Sequence, residues 1–204
     1  SELITSSWRN AFFNPQTYGS AHETLLASGR AGNVIGGGDW GEDRLIPDMM
    51  RAVSRREKVT IRNPQAVRPW QHVLEPLSGY LLLGQKLLEG RTEFAEAWNF
   101  GPSNAENITV GDIVDQIKKA WPEMDCQTGE TPPHPLHEAG ILRLDCSKAR
   151  MKLHWRPTWD ARTAVEKTVT WYRTYYESNK IQSLEELDRY IADARSRRLC
   201  WTEG

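Results

Sequence analysis

The segment from Arg30 to Trp40, RAGNVIGGGDW, constrains the fold more than any other part of the chain. It places Asn33 within a glycine-rich stretch that follows the apolar run from Thr24 to Ser28. That run predicts a buried strand, and the glycines let the following backbone come close to a bound group. Because ligands bind at the carboxyl ends of strands in open α/β sheets, the segment predicts a ligand-facing loop. A flexible surface loop is the alternative for this segment taken alone.

The charge balance and the hydropathy pattern exclude several classes of partner. Lys and Arg number 26 against 27 Asp and Glu, which gives a formal net charge of −1. This is no electrostatic footprint for nucleic acid or for an anionic membrane surface. No apolar run approaches the roughly 18 residues of a membrane span, and Ser1 to Asn10 lack a signal-peptide pattern. We therefore expect small molecules or other subunits as partners.

The cysteines indicate the compartment. Cys126, Cys146 and Cys200 are odd in number, widely spaced and without a CxxC pair. This pattern argues against both a disulfide framework and a zinc site. We expect a protein of the reducing cytoplasm.

Periodicity and capping signals predict an alternation of helices and short strands. Helices are predicted around Leu3 to Phe12, from Leu45 to Arg56, from Glu75 to Gly90, after a Thr109/Asp112 capping box, from Ser147 to Leu153, after the cap residue Asp160, and after a Ser183/Glu186 capping box. Strands are predicted at Thr24 to Ser28, Val59 to Arg62, Val67 to Leu74, Ala97 to Phe100 and Ile141 to Leu144. The mixture predicts an α/β part joined to a smaller α+β lobe.

Two of the predicted helices carry an apolar stripe that we expect to face the core. In the helix after Glu75 the stripe is Leu77, Tyr80, Leu81, Gly84, Leu87 and Leu88. In the last helix it is Leu184, Leu187 and Ile191, and the arginines near the end of that helix are expected to face solvent.

Polar groups from four segments could meet in one cleft. They are Asn33 with the glycine turn, Arg44 with Leu45, Arg62 with Arg68, and the proline- and histidine-rich loop that holds His134, His137 and Glu138. A guanidinium can bind phosphate oxygens in a bidentate manner. The alternative for any single arginine is a surface salt bridge, worth roughly 0–1 kcal/mol. The histidine loop matches no known ligand spacing, so we expect no metal.

Two sequence patterns resemble cofactor or catalytic motifs but do not fit them. The glycines from Gly29 to Gly36 miss the spacing of the dinucleotide fingerprint, and no suitably placed acidic residue follows about 20 positions later. Tyr176 and Lys180 spell the Tyr-x-x-x-Lys pattern of short-chain dehydrogenases at the end of an amphipathic helix. Because Tyr176 falls on the apolar face of that helix, we interpret it as a packing residue.

Several longer segments carry a family resemblance. They are WRNAFF at residues 8–13, RAGNVIGGGDW at 30–40, RPWQHVLEPLSGY at 68–80, WNFGP at 98–102 and LDCSK at 144–148. On these residues the chain, from Ser1 to about Tyr176, resembles the carboxyl-terminal part of the CDP-glucose 4,6-dehydratases, a branch of the extended short-chain dehydrogenase/reductases. Relatives that act on dTDP-glucose have Arg-Asp-Trp where this chain has Arg68-Pro69-Trp70.

The resemblance implies a division of the chain into three parts. Residues 1–40 would be the last elements of a Rossmann-like doubly wound sheet, residues 41–178 a nucleotide-sugar-binding lobe with returning elements, and residues 179–204 a charged terminal helix. The cofactor NAD would be held mainly by an amino-terminal half that this chain lacks. The catalytic Tyr-Lys pair would also lie there, so no catalytic residue is expected in this chain. A homodimer or higher homo-oligomer is expected, formed through a helix pair that includes the first helix.

The resemblance also implies roles for individual residues. Asn33 and Arg68 would contact the substrate diphosphate, Arg44 and Leu45 the nucleotide, and Ile61 with Arg62 the base or ribose. Asn107, His134 and His137 would line the same pocket. Ala31 and Val34 would lie against NAD, although Val34 stands where dTDP-sugar relatives have an asparagine.

The implied reaction of such an enzyme converts CDP-glucose to CDP-4-keto-6-deoxyglucose, a precursor of deoxysugars in surface polysaccharides. NAD would take hydride from carbon 4, water would leave across carbons 5 and 6, and hydride would return to carbon 6. We expect this chain alone to be inactive. The alternatives are an epimerase or another dehydratase acting on a different nucleotide sugar, and a stand-alone binding or interaction module.

Overall fold

The structure, a computed structural model, describes residues 1–103, 108–129 and 140–202. Helices and short strands alternate along these residues. In chain order they are α1 (Glu2–Phe12), β1 (Ser28–Ala31), β2 (Asn33–Ile35), α2 (Leu45–Arg55), β3 (Val59–Ile61), β4 (Trp70–His72), α3 (Leu74–Leu88), β5 (Ala97–Phe100), α4 (Val110–Ala120), β6 (Cys126–Thr128), α5 (Ser147–Lys152), α6 (Ala161–Ser178) and α7 (Ser183–Ser196). The positions of the helices agree with the sequence prediction to within a few residues.

The strands form three parallel pairs: β1 with β5, β2 with β4, and β3 with β6. Parallel neighbours need a crossover connection, and helices lie between the paired strands along the chain. The described part of the chain is therefore a mixed α/β fold with parallel sheets, which confirms the predicted fold class.

The prediction of a strand at Thr24 to Ser28 is wrong. The chain is irregular up to Ala27, and strand structure begins at Ser28, which lies opposite Ala97 in the β1–β5 pair. Leu25 and Leu26 are half-buried without strand pairing, and the carbonyl of Leu26 accepts a hydrogen bond from Arg9. The apolar run therefore leads into the sheet instead of forming part of it.

Three other strand predictions need correction. Of the predicted strand at Val67 to Leu74, only the centre forms β4, while Val67 makes single bridges to Thr109 and Ile141. Within the described residues, Ile141 to Leu144 makes no pairing except the single bridge from Ile141 to Val67, so this segment is not a strand. The sequence analysis also missed β6, which has only three residues and no alternating pattern.

The larger of the two hydrophobic cores joins α2, α4 and α6. Met49 of α2, Ile113 and Ile117 of α4, and Val169 of α6 are almost entirely shielded from solvent. Helix α4 begins with the predicted capping box, because Thr109 Oγ1 accepts from the Asp112 amide while the Asp112 carboxylate accepts from the Thr109 amide. This core supports β2, β3 and β4 from one side.

A second core joins α3, β5 and α5. It contains Trp98 and Phe100 of β5, with Trp155 crossing the ring of Phe100 edge to face at 5.2 Å. Helix α3 approaches β5 closely at Gly79, where an added Cβ would lie 2.2 Å from the Phe100 ring. A side chain larger than hydrogen at this position would push the helix off the strand.

The predicted inner stripe of α3 is wrong for three of its four leucines. Leu77, Leu81 and Leu88 are exposed, while the same helix buries Glu75, Pro76, Ser78, Gly79, Leu82 and Leu83. Tyr80 and Leu87 are half-buried against the second core. The helix is rotated because its close contact at Gly79 and the polar groups of Glu75 and Ser78 face inward.

Glu75 is the centre of a buried polar network. Its carboxylate has no solvent exposure and accepts hydrogen bonds from the amides of Thr158 (2.8 Å) and Trp159 (2.7 Å) and from the hydroxyl of Tyr190 (2.9 Å). Burial raises the pKa of Glu75 to about 7, although these three hydrogen bonds act in the opposite direction. The network ties α3 to α7 and to the segment before α6.

The predicted inner stripe of α7 is wrong for Leu184 and Leu187, which are exposed, whereas Ile191 is half-buried. The helix buries Tyr190 and Ala194, and the predicted capping box does not form. Ser183 Oγ accepts from the indole of Trp171 at 3.0 Å, Glu186 Oε1 lies 2.6 Å from His72 Nε2, and Tyr190 joins Glu75. Since Ser183 and Glu186 have partners in the core, they do not cap the helix, which begins after Gln182 without a side-chain cap.

Helix α1 differs from every helix of the cores, because none of its residues is buried. Leu3, Ile4, Trp8 and Phe12 all expose more than half of their surface. They stand at helical spacing and form one exposed apolar face. Elsewhere Cys126 and Cys146 are free thiols, and within the described ranges no helix has both the length and the apolar content to span a membrane.

Candidate binding site

A cavity of about 670 Å³ opens beside the larger core. This volume lies within the roughly 300–1,000 Å³ typical of small-molecule sites. Its walls come from four places: strand β2, the amino terminus of α2, strand β3 with the residues after it, and the segment that leads into β4. Elements far apart in the sequence therefore converge on one concave surface.

The first wall is fixed by the β2–β4 pair. Asn33 lies opposite Trp70 in the parallel register, and the backbone amide of Asn33 donates to the carbonyl of Pro69 at 2.9 Å. Gly32 permits this approach, since an added Cβ would lie 2.4 Å from the same carbonyl oxygen. The side chain of Asn33 is thereby held at the cavity wall.

Arg68 is almost buried in the adjoining wall, with 9% of its surface exposed. Its Nη1 donates to the carbonyl of Val67 at 2.9 Å, and Val67 is itself bridged to Thr109 and Ile141. A guanidinium held so firmly loses little conformational freedom when an anion reaches it. Arg68 is therefore suited to bind phosphate oxygens.

The amino terminus of α2 forms the third side of the cavity. Arg44 is the residue before the first turn of the helix, and Leu45 to Asp48 line the cavity behind it. The positive end of the helix dipole favours an anion at this place. Arg44 Nη1 also donates to Asp39 Oδ2 at 2.9 Å, so the guanidinium is held over the cavity mouth.

The fourth side is β3 and its continuation. Ile61 is buried and Arg62 exposed, and the following segment is attached to the start of α4 by two backbone hydrogen bonds. They run from the Gly111 amide to the Pro64 carbonyl (2.8 Å) and from the Val110 amide to the Ala66 carbonyl (2.9 Å). A flat apolar surface beside polar groups is a wall against which a planar base can lie.

The glycines between β2 and α2 are required by the packing and the backbone conformation of this loop. An added Cβ on Gly37 would lie 2.0 Å from Trp171 Cγ, and Gly38 has a φ of +80°. The tight backbone lets Trp40 enter a cluster of aromatic rings on α6, where it meets Tyr172 edge to face at 5.3 Å. Tyr172 also donates to the carbonyl of Asp39. The predicted ligand-facing loop is thus anchored to α6.

The cavity brings together seven of the residues singled out from the sequence: Asn33, Val34, Arg44, Leu45, Ile61, Arg62 and Arg68. Ala31 is not part of the lining, because it lies within β1 opposite Phe100. Asn107, His134 and His137 lie outside the described residues.

Sequence reasoning missed five polar residues of the lining: Asp39, Asp43, Asp48, Thr60 and Asn63. Asp39 stands five positions before its partner Arg44 in an irregular loop, so no periodic pattern could indicate the pair. Partial burial alone would raise the pKa of Asp39, but the hydrogen bonds from the Gly41 amide and Arg44 outweigh it and lower the pKa. The carboxylate is therefore ionised at neutral pH.

The described residues around this cavity do not form the turn that an NAD site needs. A dinucleotide needs a tight glycine-rich turn between a strand and a helix amino terminus for its pyrophosphate. Here the whole segment from Gly36 to Arg44 separates β2 from α2, and Gly37 and Gly38 pack against Trp171. Of the two residues predicted to lie near the cofactor, only Val34 reaches the cavity.

The Tyr-x-x-x-Lys pattern at the end of α6 serves packing, as predicted. Tyr176 lies among Trp40 (6.0 Å between ring centroids) and Trp121 (6.2 Å) beside the larger core. Lys180 follows the end of the helix and pairs with Glu185 at 3.1 Å. Neither side chain lines the cavity.

Comparison with known proteins shows the relationship of the chain. No profile of a known protein family matches it. It is 46% identical over 193 residues to CDP-glucose 4,6-dehydratase of Salmonella typhimurium, which covers 94% of this chain and 53% of that protein. The chain thus spans about half the length of this curated relative.

Solved structures share the fold at lower identity. A UDP-glucose 4-epimerase of Thermotoga maritima, solved with UDP-glucose, superposes with a TM-score of 0.66 at 21% identity over 85% of this chain and 50% of its own. A dTDP-glucose 4,6-dehydratase of Bacillus anthracis, solved with NAD, gives a TM-score of 0.62 at 18% identity over 86% of this chain and 50% of its own. These solved structures show that the chain shares the fold of nucleotide-sugar epimerases and dehydratases. In sequence, nearly the whole chain is similar to part of a CDP-glucose 4,6-dehydratase.

Proposed function

We propose that the cavity binds CDP-glucose and that the chain is the nucleotide-sugar lobe of a CDP-glucose 4,6-dehydratase. One observation carries the proposal: Asn33, Arg44, Arg62 and Arg68, which come from four separate segments, line one cavity of suitable volume. The 46% identity to a CDP-glucose 4,6-dehydratase supports the choice of nucleotide and sugar.

In this proposal each wall of the cavity contacts a different part of the ligand. Arg68 and Asn33 hold the diphosphate, with Arg44 at the positive end of α2 as a further contact. Leu45, Ile61 and Arg62 hold the base and ribose. Asn107, His134 and His137 are proposed as further contacts on the resemblance alone.

The chemistry of the proposed enzyme requires more than this chain. NAD would be held mainly by the part of the relatives' length that the chain does not cover, and so would the groups that move protons. The overall reaction would convert CDP-glucose to CDP-4-keto-6-deoxyglucose for deoxysugar and surface-polysaccharide synthesis. We place it in the cytoplasm, in keeping with cysteines that are widely spaced and lack a CxxC pair, and propose a homodimer that includes α1.

Titration calorimetry with CDP-glucose, UDP-glucose and dTDP-glucose tests the proposal. We expect CDP-glucose to bind most tightly, and Arg68→Met to weaken binding by at least about tenfold, because a charge-assisted hydrogen bond contributes roughly 1.5–3 kcal/mol. Arg173→Met is the matched control, since Arg173 pairs with Glu177 away from the cavity. Equal effects of the two substitutions would contradict the assignment.

A second assay concerns the chain by itself. Incubated with CDP-glucose and NAD, it should form no 4-keto sugar, because the described residues hold no Tyr-Lys pair at the cavity and no dinucleotide turn. Turnover by the 204-residue chain would show that catalytic groups lie within it.

An epimerase or another dehydratase acting on a different nucleotide sugar is the second candidate. The superposition with a UDP-glucose 4-epimerase favours it, because both activities occur on this fold. Tighter binding of UDP- or dTDP-glucose than of CDP-glucose would support it. A chain that bound no nucleotide sugar at all would instead indicate a stand-alone interaction module.

A further inference from the structure

Asp39 is a charged residue of the cavity wall for which the proposed substrate contacts leave no role. Its two carboxylate oxygens have separate partners: Oδ1 accepts from the Gly41 amide and Oδ2 accepts from Arg44 Nη1, both at 2.9 Å. An acidic group in a cavity for a diphosphate would repel the ligand if it stood alone. Its position beside Arg44 therefore needs an explanation.

The backbone around Asp39 is fixed from two sides. On one side Tyr172 of α6 donates to the carbonyl of Asp39 itself. On the other, Arg51 of α2 donates to the carbonyls of Trp40 (2.9 Å) and Gly41 (3.1 Å). The carboxylate is thus presented by a rigid frame between two helices of the larger core.

Arg44, by contrast, has little to hold it except Asp39. Its side chain is 65% exposed, and a long exposed side chain loses considerable rotamer freedom when it is ordered on binding. The guanidinium has five N–H donors, and the ion pair with Asp39 leaves others directed elsewhere. A side chain held in this way can accept a second anion without being ordered anew.

We propose that Asp39 is a positioning residue, which holds the Arg44 guanidinium at the cavity mouth so that it meets the diphosphate of the nucleotide sugar. The inference rests on the proposed function of the cavity and adds to it a residue that selects phosphate-bearing ligands. Because Arg44 and Arg51 lie close enough to offset the negative charge of Asp39, they reduce its repulsion of the ligand.

The test is a double-mutant cycle with Asp39→Asn and Arg44→Met in the full chain. Asparagine keeps an oxygen for the Gly41 amide but removes the charge that faces Arg44. We expect Asp39→Asn to weaken CDP-glucose binding by about 3- to 10-fold, the effect of ordering one long side chain, and to leave cytidine binding unchanged. In the Arg44→Met background the same substitution should have no further effect. Glu42→Gln, an exposed acid of the same loop, is the matched control and should behave as wild type.

Three results would overturn the inference while the proposed function stands. CDP-glucose affinity unchanged by Asp39→Asn would show that Arg44 needs no holding, and tighter binding would show that Asp39 competes with phosphate. An equal loss in the Arg44→Met background would show that Asp39 acts through the loop and not through Arg44. Wild-type chain that bound neither CDP-glucose nor CDP would instead overturn the proposed function and this inference together. Arg44→Lys, which keeps the charge, should retain part of the coupling between positions 39 and 44 that the double-mutant cycle measures.

Discussion

Helices α6 and α1 are both amphipathic in sequence, yet the apolar face of α6 is buried and that of α1 is exposed. Helix α6 buries seven residues, among them Val165, Val169 and Tyr172, in the larger core. Helix α1 buries none, and its apolar side chains face outward. An apolar stripe thus shows that a helix has a face to cover, but the rest of the structure decides whether this chain covers it.

The cavity belongs entirely to the well-packed region. Its lining comes from residues between Gly32 and Val110, supported by α2, α4 and α6, and no residue of α1 contributes. A binding site needs a frame that does not move when the ligand arrives, and buried helices supply one. The predictions below test this difference between the two regions, from the largest expected effect on stability to the smallest.

The comparison predicts very different costs for truncating one side chain in each region. Ile113→Ala removes a fully buried side chain from α4 and should lower the free energy of unfolding by about 2–5 kcal/mol. Leu3→Ala on α1, where the side chain is 88% exposed, should change it by no more than about 0.5 kcal/mol. Urea unfolding of both variants measures the difference, and similar losses would show that α1 is part of the core.

Glu75→Gln probes the polar network that joins α3 and α7. Glutamine replaces one acceptor oxygen by an NH₂ group, so the amide of Thr158 or Trp159 loses its partner. We expect a loss of about 1–3 kcal/mol in the free energy of unfolding. Glu93→Gln, a substitution at an exposed acid, is the control. An unaltered stability would mean that the network is not formed.

The same variant has a predicted pH dependence. Because the pKa of Glu75 is raised from 4.5 to about 7 in the folded chain, its protonation stabilises the fold. That contribution is complete below pH 4.5 and is lost as the pH rises through 7, whereas glutamine does not titrate. The stability difference between wild type and variant should therefore be larger near pH 5 than at pH 8, by about 2–3 kcal/mol. The His72–Glu186 pair is present in both proteins, so it does not contribute to the difference in stability between them. A difference that grew with pH would contradict the assignment.

The cap of α4 should contribute less. Thr109→Ala removes the side-chain acceptor for the Asp112 amide and leaves that amide to solvent. We expect a loss of about 1 kcal/mol, within the 0.5–2 kcal/mol typical of such caps. Thr109→Ser, which keeps the hydroxyl, should be nearly neutral, and thermal unfolding distinguishes the two variants. Equal losses would show that the methyl group and not the cap matters.

The exposed face of α1 should act on association and not on folding. Trp8→Glu places a charge on this face and should shift sedimentation velocity profiles toward the monomer, with little change in stability. Met151→Glu alters an equally exposed apolar residue on α5 and serves as the control. If both substitutions had the same effect on the sedimentation profile, α1 would not be the surface through which copies associate.

The parts of the fold that sequence predicted well depend on local signals. The capping box of α4 needs only Thr109 and Asp112, three residues apart, and the turn after β2 is indicated by its own glycines, although it is Trp171 that requires a glycine at position 37. Asn33 and Arg68 could be expected in one cleft because the family resemblance pointed to both residues, and both line the cavity.

The errors arise where distant contacts override a local pattern. The apolar residues of α3 and α7 gave no sign that Glu75 and Tyr190 would face each other, and this contact rotates both helices by about one residue. Likewise the pair of Asp39 with Arg44 depends on the loop conformation that Trp40 and Tyr172 impose. Such partners are visible only once the tertiary structure is known.

Hydrogen–deuterium exchange of the chain with and without CDP-glucose tests the central claim most directly. We expect protection of the amides from Asn33 to Leu45 and from Ile61 to Arg68, which border the cavity, and no change in α1. Protection that was absent under saturating ligand, or that fell on α1 and the outer face of α3, would contradict the assignment of this cavity as the nucleotide-sugar site.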